Sequence, residues 1–175
     1  MILMKSWTVF KQDTPKKPHQ MVGSVYAVDG ETALLAARSV FARRPKAVSL
    51  WVAPTDQIET LSHEVVERIQ DSLLTTVGEM QTWQVFRKSN QRRAMTFVEH
   101  IGEVTTINTT AAVYQLYAEL DDGKPTWVLM FVPDSAIVRS EADDIESWFK
   151  PALTKTYKQQ SQYGFVGGTR AKKKK

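Results

Sequence analysis

The sequence predicts an α+β fold: two repeated β-β-α-β units with a mainly antiparallel sheet, a connecting helix between them and an extended C-terminal arm. Three observations predict it. The chain repeats itself at a near-constant offset. Each copy opens with two strand-like segments around a turn, and each then runs through a helical stripe into a short apolar strand. At 175 residues there is room for about one domain, or two very small ones, around a modest core.

The repeat is read from matched positions. Trp7-Thr8-Val9-Phe10 recurs 76 residues later as Trp83-Gln84-Val85-Phe86. Gly23-Ser24-Val25 recurs 79 residues later as Gly102-Glu103-Val104, and that offset then holds without a gap. Asp29 falls over Asn108, Leu34 over Val113, Phe41 over Leu120, Leu50 over Leu129, Pro54 over Pro133 and Ile58 over Ile137. Only the first turn differs in length, by three residues.

Within each unit the elements follow from local chemistry. Trp7 to Gln12 and Met21 to Val28 are rich in aromatic and β-branched residues, with Pro15, Lys16, Lys17 and Pro18 as the turn between them. Asp29 and Asn108 are helix N-cap residues, each placed before an apolar helical pattern. Leu34, Ala37 and Phe41 form one stripe, which Val113, Leu116 and Leu120 repeat. The third strands, Val48 to Ala53 and Trp127 to Val132, are nearly continuous apolar runs. Such strands are buried on both faces, at the centre of a sheet or against a partner.

Between the units, Ile58, Leu61, Val65, Ile69 and Leu73 predict an amphipathic helix within residues 56–77. After the second unit, Trp148, Phe149, Leu153, Tyr157 and Tyr163 punctuate a polar, irregular segment, as expected of an arm lying on a surface. The resulting division is 5–58 for the first repeat, 59–80 for the connecting helix and 81–140 for the second repeat. Residues 141–163 are then the arm and 164–175 a disordered basic tail.

Charge narrows the function classes. Lys and Arg total 23 against 19 Asp and Glu, a net charge of +4, but Arg170 and Lys172 to Lys175 supply five of the positive charges. The body is therefore near neutral, which argues against a nucleic-acid-binding face. Without cysteine there are no disulfides, thiolate metal sites or cysteine nucleophiles. No apolar run is long enough to cross a bilayer, and the N-terminus does not read as a signal peptide, so a cytoplasmic protein is expected.

Catalytic patterns are missing. His19, His63 and His100 are separated without metal-ligand spacing and read as surface or hairpin-packing residues. No nucleophile elbow, P-loop or dinucleotide fingerprint occurs. Asp121-Asp122 and Asp143-Asp144 read as solvated turn charges. Two basic groups remain. Arg43-Arg44-Lys46 suits the end of a helix, and Arg87-Lys88 with Arg92-Arg93 suits a hairpin turn; docking to an acidic protein surface is the functional alternative. No cofactor is expected on this chain.

The first unit carries a specific resemblance. Trp7-x-Val-Phe10, His19-x-x-Val22-Gly23-Ser24-Val25, Ala33-Leu34-x-x-Ala37-Arg38-x-Val40-Phe41-x-Arg43-Arg44 and Val48-Ser49-Leu50-Trp51-Val52 resemble the B subunit of the ring-1,2-phenylacetyl-CoA epoxidase. The second unit resembles a diverged copy, and Phe149-x-Pro151-Ala152-x-x-Lys155-x-Tyr157 with Tyr163 is similar to that family's C-terminal arm. The family carries one such unit with the arm directly after it; here the arm follows only the second copy and an extra helix intervenes. Tyr117 also replaces Arg38, and Asp122 and Gly123 replace Arg43 and Arg44.

The resemblance implies a non-catalytic bridging subunit of a multicomponent di-iron monooxygenase acting in aerobic phenylacetate degradation. Its implied partners are the di-iron catalytic subunit and that subunit's helical partner, with the reductase as a further candidate. Arg38, Arg43, Arg44, Trp51, Trp148, Phe149, Lys155, Tyr157 and Tyr163 are the candidate partner interface. Duplication would make the chain a covalent pseudo-dimer. Two other readings compete: a stand-alone α+β protein or small enzyme holding an aromatic ligand between sheet and helix, and a single-stranded nucleic-acid binder using strand aromatics and the basic tail.

Overall fold

The computed structural model describes residues 3–42, 47–70, 79–91, 98–119 and 124–150. The first unit contains β1 (Lys5–Gln12), β2 (Gln20–Ala27), α1 (Gly30–Phe41) and β3 (Ser49–Pro54), followed by β4 (Glu59–Ser62) and α2 (His63–Gln70). The second contains β5 (Gln81–Lys88), β6 (Val98–Thr106), α3 (Thr109–Glu119), β7 (Val128–Pro133) and β8 (Val138–Arg139), ending in a single π-helical turn, Ile145–Phe149. The class is α+β, and every strand pair is antiparallel.

Local chemistry sets the elements where the sequence places them. The Asp29 carboxylate accepts the Thr32 amide at 2.8 Å, and the Asn108 side chain accepts the Ala111 amide at the same distance, so both helices start on matched caps. Both hairpins carry a bulge at the same place. Val9 faces Gly23 and Phe10 faces Met21, leaving Val22 as the extra residue; Val85 faces Gly102 and Phe86 faces His100, leaving Ile101. The bulge glycines have φ of 146° and 151°, a region that favours glycine. Phe41 makes a second demand at Gly23, because its ring would press on any Cβ there.

The strands form one sheet in the order β4-β7-β5-β6-β2-β1-β3-β8. β3 and β7 are internal strands, as their apolar runs predict. The order is a palindrome of equivalent strands: β2 meets β6 at the centre, and each unit's last strand crosses to the other unit. β4 pairs with β7 and β8 pairs with β3. The exchange is matched to the residue, since Thr60 opposite Met130 and Arg139 opposite Trp51 are the same pair seen from the two copies.

The sheet also curls. In a flat sheet β1 and β5 would lie roughly 14 Å apart, with two strands between them. Instead Phe10 and Phe86 stack with ring centroids 4.1 Å apart, so the inner faces of the two halves meet. Phe10, Ala53, Phe86, Val98, Met130, Val132 and Ile137 form this shared inner core. Outside it, Val9, Leu50 and Val52 pack on Leu34 and Ala37 of α1, while Val85, Leu129 and Phe131 pack on Val113 and Leu116 of α3.

The segment between the units differs from the helix expected across 56–77. Residues 55–57 form a short 3₁₀ turn, residues 59–62 are a strand, and the helix begins only at His63. Ile58 belongs to the inner core and Leu61 to the second unit's outer core. Their three-residue spacing fits a helix equally well, and only the β7 edge across from them selects a strand. Starting later, α2 also turns a different face inward: Val66 is buried and Ile69 packs inward, whereas Val65 faces solvent.

Candidate partner interface

Where equivalent strands meet, the joint is narrow. Gln20 of β2 lies opposite Glu99 of β6, its counterpart in the repeat, and their side chains are hydrogen-bonded. An antiparallel pair of equivalent residues is what a two-fold axis between the units requires. The His100 amide extends the joint by donating to the His19 carbonyl at 2.8 Å.

Around this axis the copies have diverged into unlike chemistry. On the first unit Thr8 and Thr55 share a hydrogen bond at 3.0 Å. The matching residues of the second unit are Gln84 and Asp134, where Gln84 Nε2 donates to Asp134 at 2.8 Å and to Glu103 at 3.0 Å. The Gln84 oxygen lies 2.7 Å from His100 Nε2, and Arg139 is bonded to Asp134. Arg139 also lies over the Trp51 ring at 4.9 Å, and Trp51 stacks on His19 at 3.8 Å while meeting the edge of His100 at 5.4 Å. The exchanged strand thus closes an aromatic and ionic cluster drawn from both units.

Electrostatics follow from this packing. Burial, reinforced by His100 and Arg139, lowers His19 to about 4, and burial likewise lowers His100. Burial works against ionised Asp134, but hydrogen bonds from Gln84 and Arg139 and the Arg139 charge outweigh it and hold the carboxyl below its ordinary range. Both inner histidines are therefore neutral near pH 7. His19 is buried, with its Nε2 3.0 Å from Ser49 Oγ, so the hairpin-packing expectation fits it and the surface one does not.

Four of the candidate interface residues lie within the described residues. Trp51 sits in the joint. Arg38, on α1, lies 5.7 Å from the centre of the Trp148 ring, and Phe149 is 4% exposed within the first unit's core. The described start of the arm, through Phe149, thus packs on its own chain, and the Phe149 side chain is consumed there. Arg43, Arg44, Lys155, Tyr157 and Tyr163 lie outside the described residues, as do Arg92, Arg93, the rest of the arm and the basic tail. Arg87 and Lys88 do not decorate a turn: they end β5, opposite Glu99 and Val98, and are largely buried.

The arm also has a counterpart. At the offset of 79, His63 to Gln70 correspond to Ala142 to Phe149. After each exchanged strand the chain crosses onto the opposite unit's helix. Tyr114 of α3 donates to the Ile69 carbonyl, as Trp148 meets Arg38 of α1. The helix expected as an extra insertion is therefore, in position, the first copy's version of the start of the arm.

Sequence reasoning missed Gln84, Asp134 and Arg139 as a group, and with them the place of the two histidines. The available signal was difference: Thr8 against Gln84, Thr55 against Asp134 and Thr60 against Arg139 are unlike pairs inside an otherwise matched frame. Exposed apolar side chains are also uneven. Leu35 and Val40 on α1 are 51% and 63% exposed, and Tyr26 on β2 is 69% exposed. At the corresponding places stand Tyr114, Glu119 and Thr105, of which Thr105 is hydrogen-bonded to Thr82.

A family model described as phenylacetic acid degradation B, PaaB, matches the chain twice, over residues 4–75 and 79–170. The chain belongs to the PaaB family. Its two matched segments are the tandem copies, and the first runs through β4 and α2, in keeping with their positional match to β8 and the arm. PaaB proteins are subunits of the phenylacetyl-CoA oxygenase complex, which places this chain in phenylacetate degradation. Comparisons with curated proteins and with solved structures return no match. Among the described residues no helix is long and apolar enough to cross a membrane, and no group of three or more His, Asp or Glu is placed to hold a metal ion.

Proposed function

We propose that this PaaB-family chain is a non-catalytic bridging subunit that holds the di-iron catalytic subunit and its helical partner within the cytoplasmic oxygenase complex. The observation that carries this reading is the reciprocal strand exchange. Two units that resemble a single-unit subunit close upon each other within one chain and occupy the edges through which they would pair with a second copy. Fusion raises the effective concentration of the halves and frees them to diverge.

The divergence supports unlike partner surfaces at the two ends. Leu35, one helical turn from Arg38, and Val40 are exposed apolar side chains of α1 and give the first unit apolar surface of the kind that docks on protein. The test is reconstitution. Mixed with the catalytic and helical subunits, the chain forms a larger complex of fixed stoichiometry, and Leu35→Glu with Val40→Glu weakens that complex at least tenfold without lowering the melting temperature. A complex that assembles and oxidises its thioester equally well without this chain would refute the proposal. So would thioester oxidation by this chain alone.

A further inference from the structure

The two exchange sites are not interchangeable. In the first unit, α1 begins at Gly30, and the exchanged strand β8 lays Val138 against it. A Cβ at Gly30 would overlap Val138 Cγ2, would lie 3.1 Å from Val138 Cβ, and would touch Trp7 at 3.4 Å. A β-branched residue on a paired strand cannot swing aside from such an overlap. In the second unit the same two positions hold Thr109 and Glu59. There the Thr109 hydroxyl donates to the Glu59 carboxylate at 2.9 Å, and the longer acidic side chain reaches past the threonine.

We infer that these two pairs form an address code for strand exchange: the segment after each copy fits the other copy and is rejected by its own. Laid on the second unit, β8 would drive Val138 into Thr109. Laid on the first, β4 would face Gly30 with no hydroxyl for Glu59 to accept. The steric half discriminates more strongly, because Glu59 is exposed and can remain hydrated. The occupant of each edge is thus the unlike unit, and a second copy offering its like unit is disfavoured. The inference rests on the fold alone and stands whatever complex the chain serves.

The test uses the full chain with hydrogen exchange and thermal melting. The reporters are the Ser140 amide, bonded to the Leu50 carbonyl, and the Leu50 amide, bonded to Ser140 Oγ, 2.8–3.0 Å links between β3 and the residue that follows β8. Gly30→Thr should lower the melting temperature by about 4–10 °C and strip protection from both amides. At a helix start, replacing glycine would otherwise be neutral or stabilising. Gly30→Thr with Val138→Glu recreates the second unit's pair and should restore protection and most of the melting temperature. Conversely, Glu59→Val should loosen β4 from β7, and adding Thr109→Gly should bring it back. Should Gly30→Thr fail to fold, the paired variant decides alone. Unchanged protection in Gly30→Thr, or a paired variant no better than it, overturns the code.

Discussion

His19 shows how one residue's burial becomes a property of the whole protein. Its folded pKa is lowered to about 4 from an ordinary value near 6.5, so as pH falls the unfolded chain takes up the proton first. The stability it contributes is fully present above about pH 6.5 and is lost as pH falls towards 4. Unfolding free energies from denaturant titrations at pH 7 and pH 4.5 should differ by up to about 3 kcal/mol through this group, and His19→Gln should flatten that slope. Phe10 and Phe86 test the same joint by packing. Either change to Ala should destabilise the fold by about 3–5 kcal/mol, and the pair should couple by about 0.5–1.5 kcal/mol beyond additivity. The histidines were visible in the sequence, but their role was not. Standing where β2 meets β6 is a tertiary fact that the spacing of His19 and His100 does not carry.

Elements were legible where local chemistry alone decides them. Asp29 and Asn108 cap as their residue types require, and the apolar runs at β3 and β7 are internal strands. Asn108→Ala should destabilise the chain by about 1 kcal/mol in chemical unfolding, and Asp29→Ala should act in the same direction. The segment after each copy was not legible. Ile58 and Leu61 satisfy a helical period and a strand phase alike, and an edge supplied by residues 128–133 settles the matter. The counterpart strand β8 is only two residues long, below the length at which alternation can be read. Arg38 and Trp148 were singled out for docking outside the chain. Their contact within it follows from the exchange, which carries the start of the arm onto α1.

At the scale of the molecule, the two copies pair with each other within one chain about a two-fold axis. Both free ends of one unit's sheet are answered by the other, and the axis between Gln20 and Glu99 joins residues that were once the same. Symmetry explains the shared core of Phe10 and Phe86. Divergence explains why Arg139, Asp134 and Gln84 stand on one side of the axis and threonines on the other. Such a body can present unlike faces while remaining a single folding unit, so its melting should be one cooperative transition. The central claim is that one chain is already the complete two-unit body, and light scattering of the purified protein measures it most directly. The claim predicts the 19.9 kDa mass of one chain at every concentration. A stable mass of twice that, persisting on dilution, would contradict it.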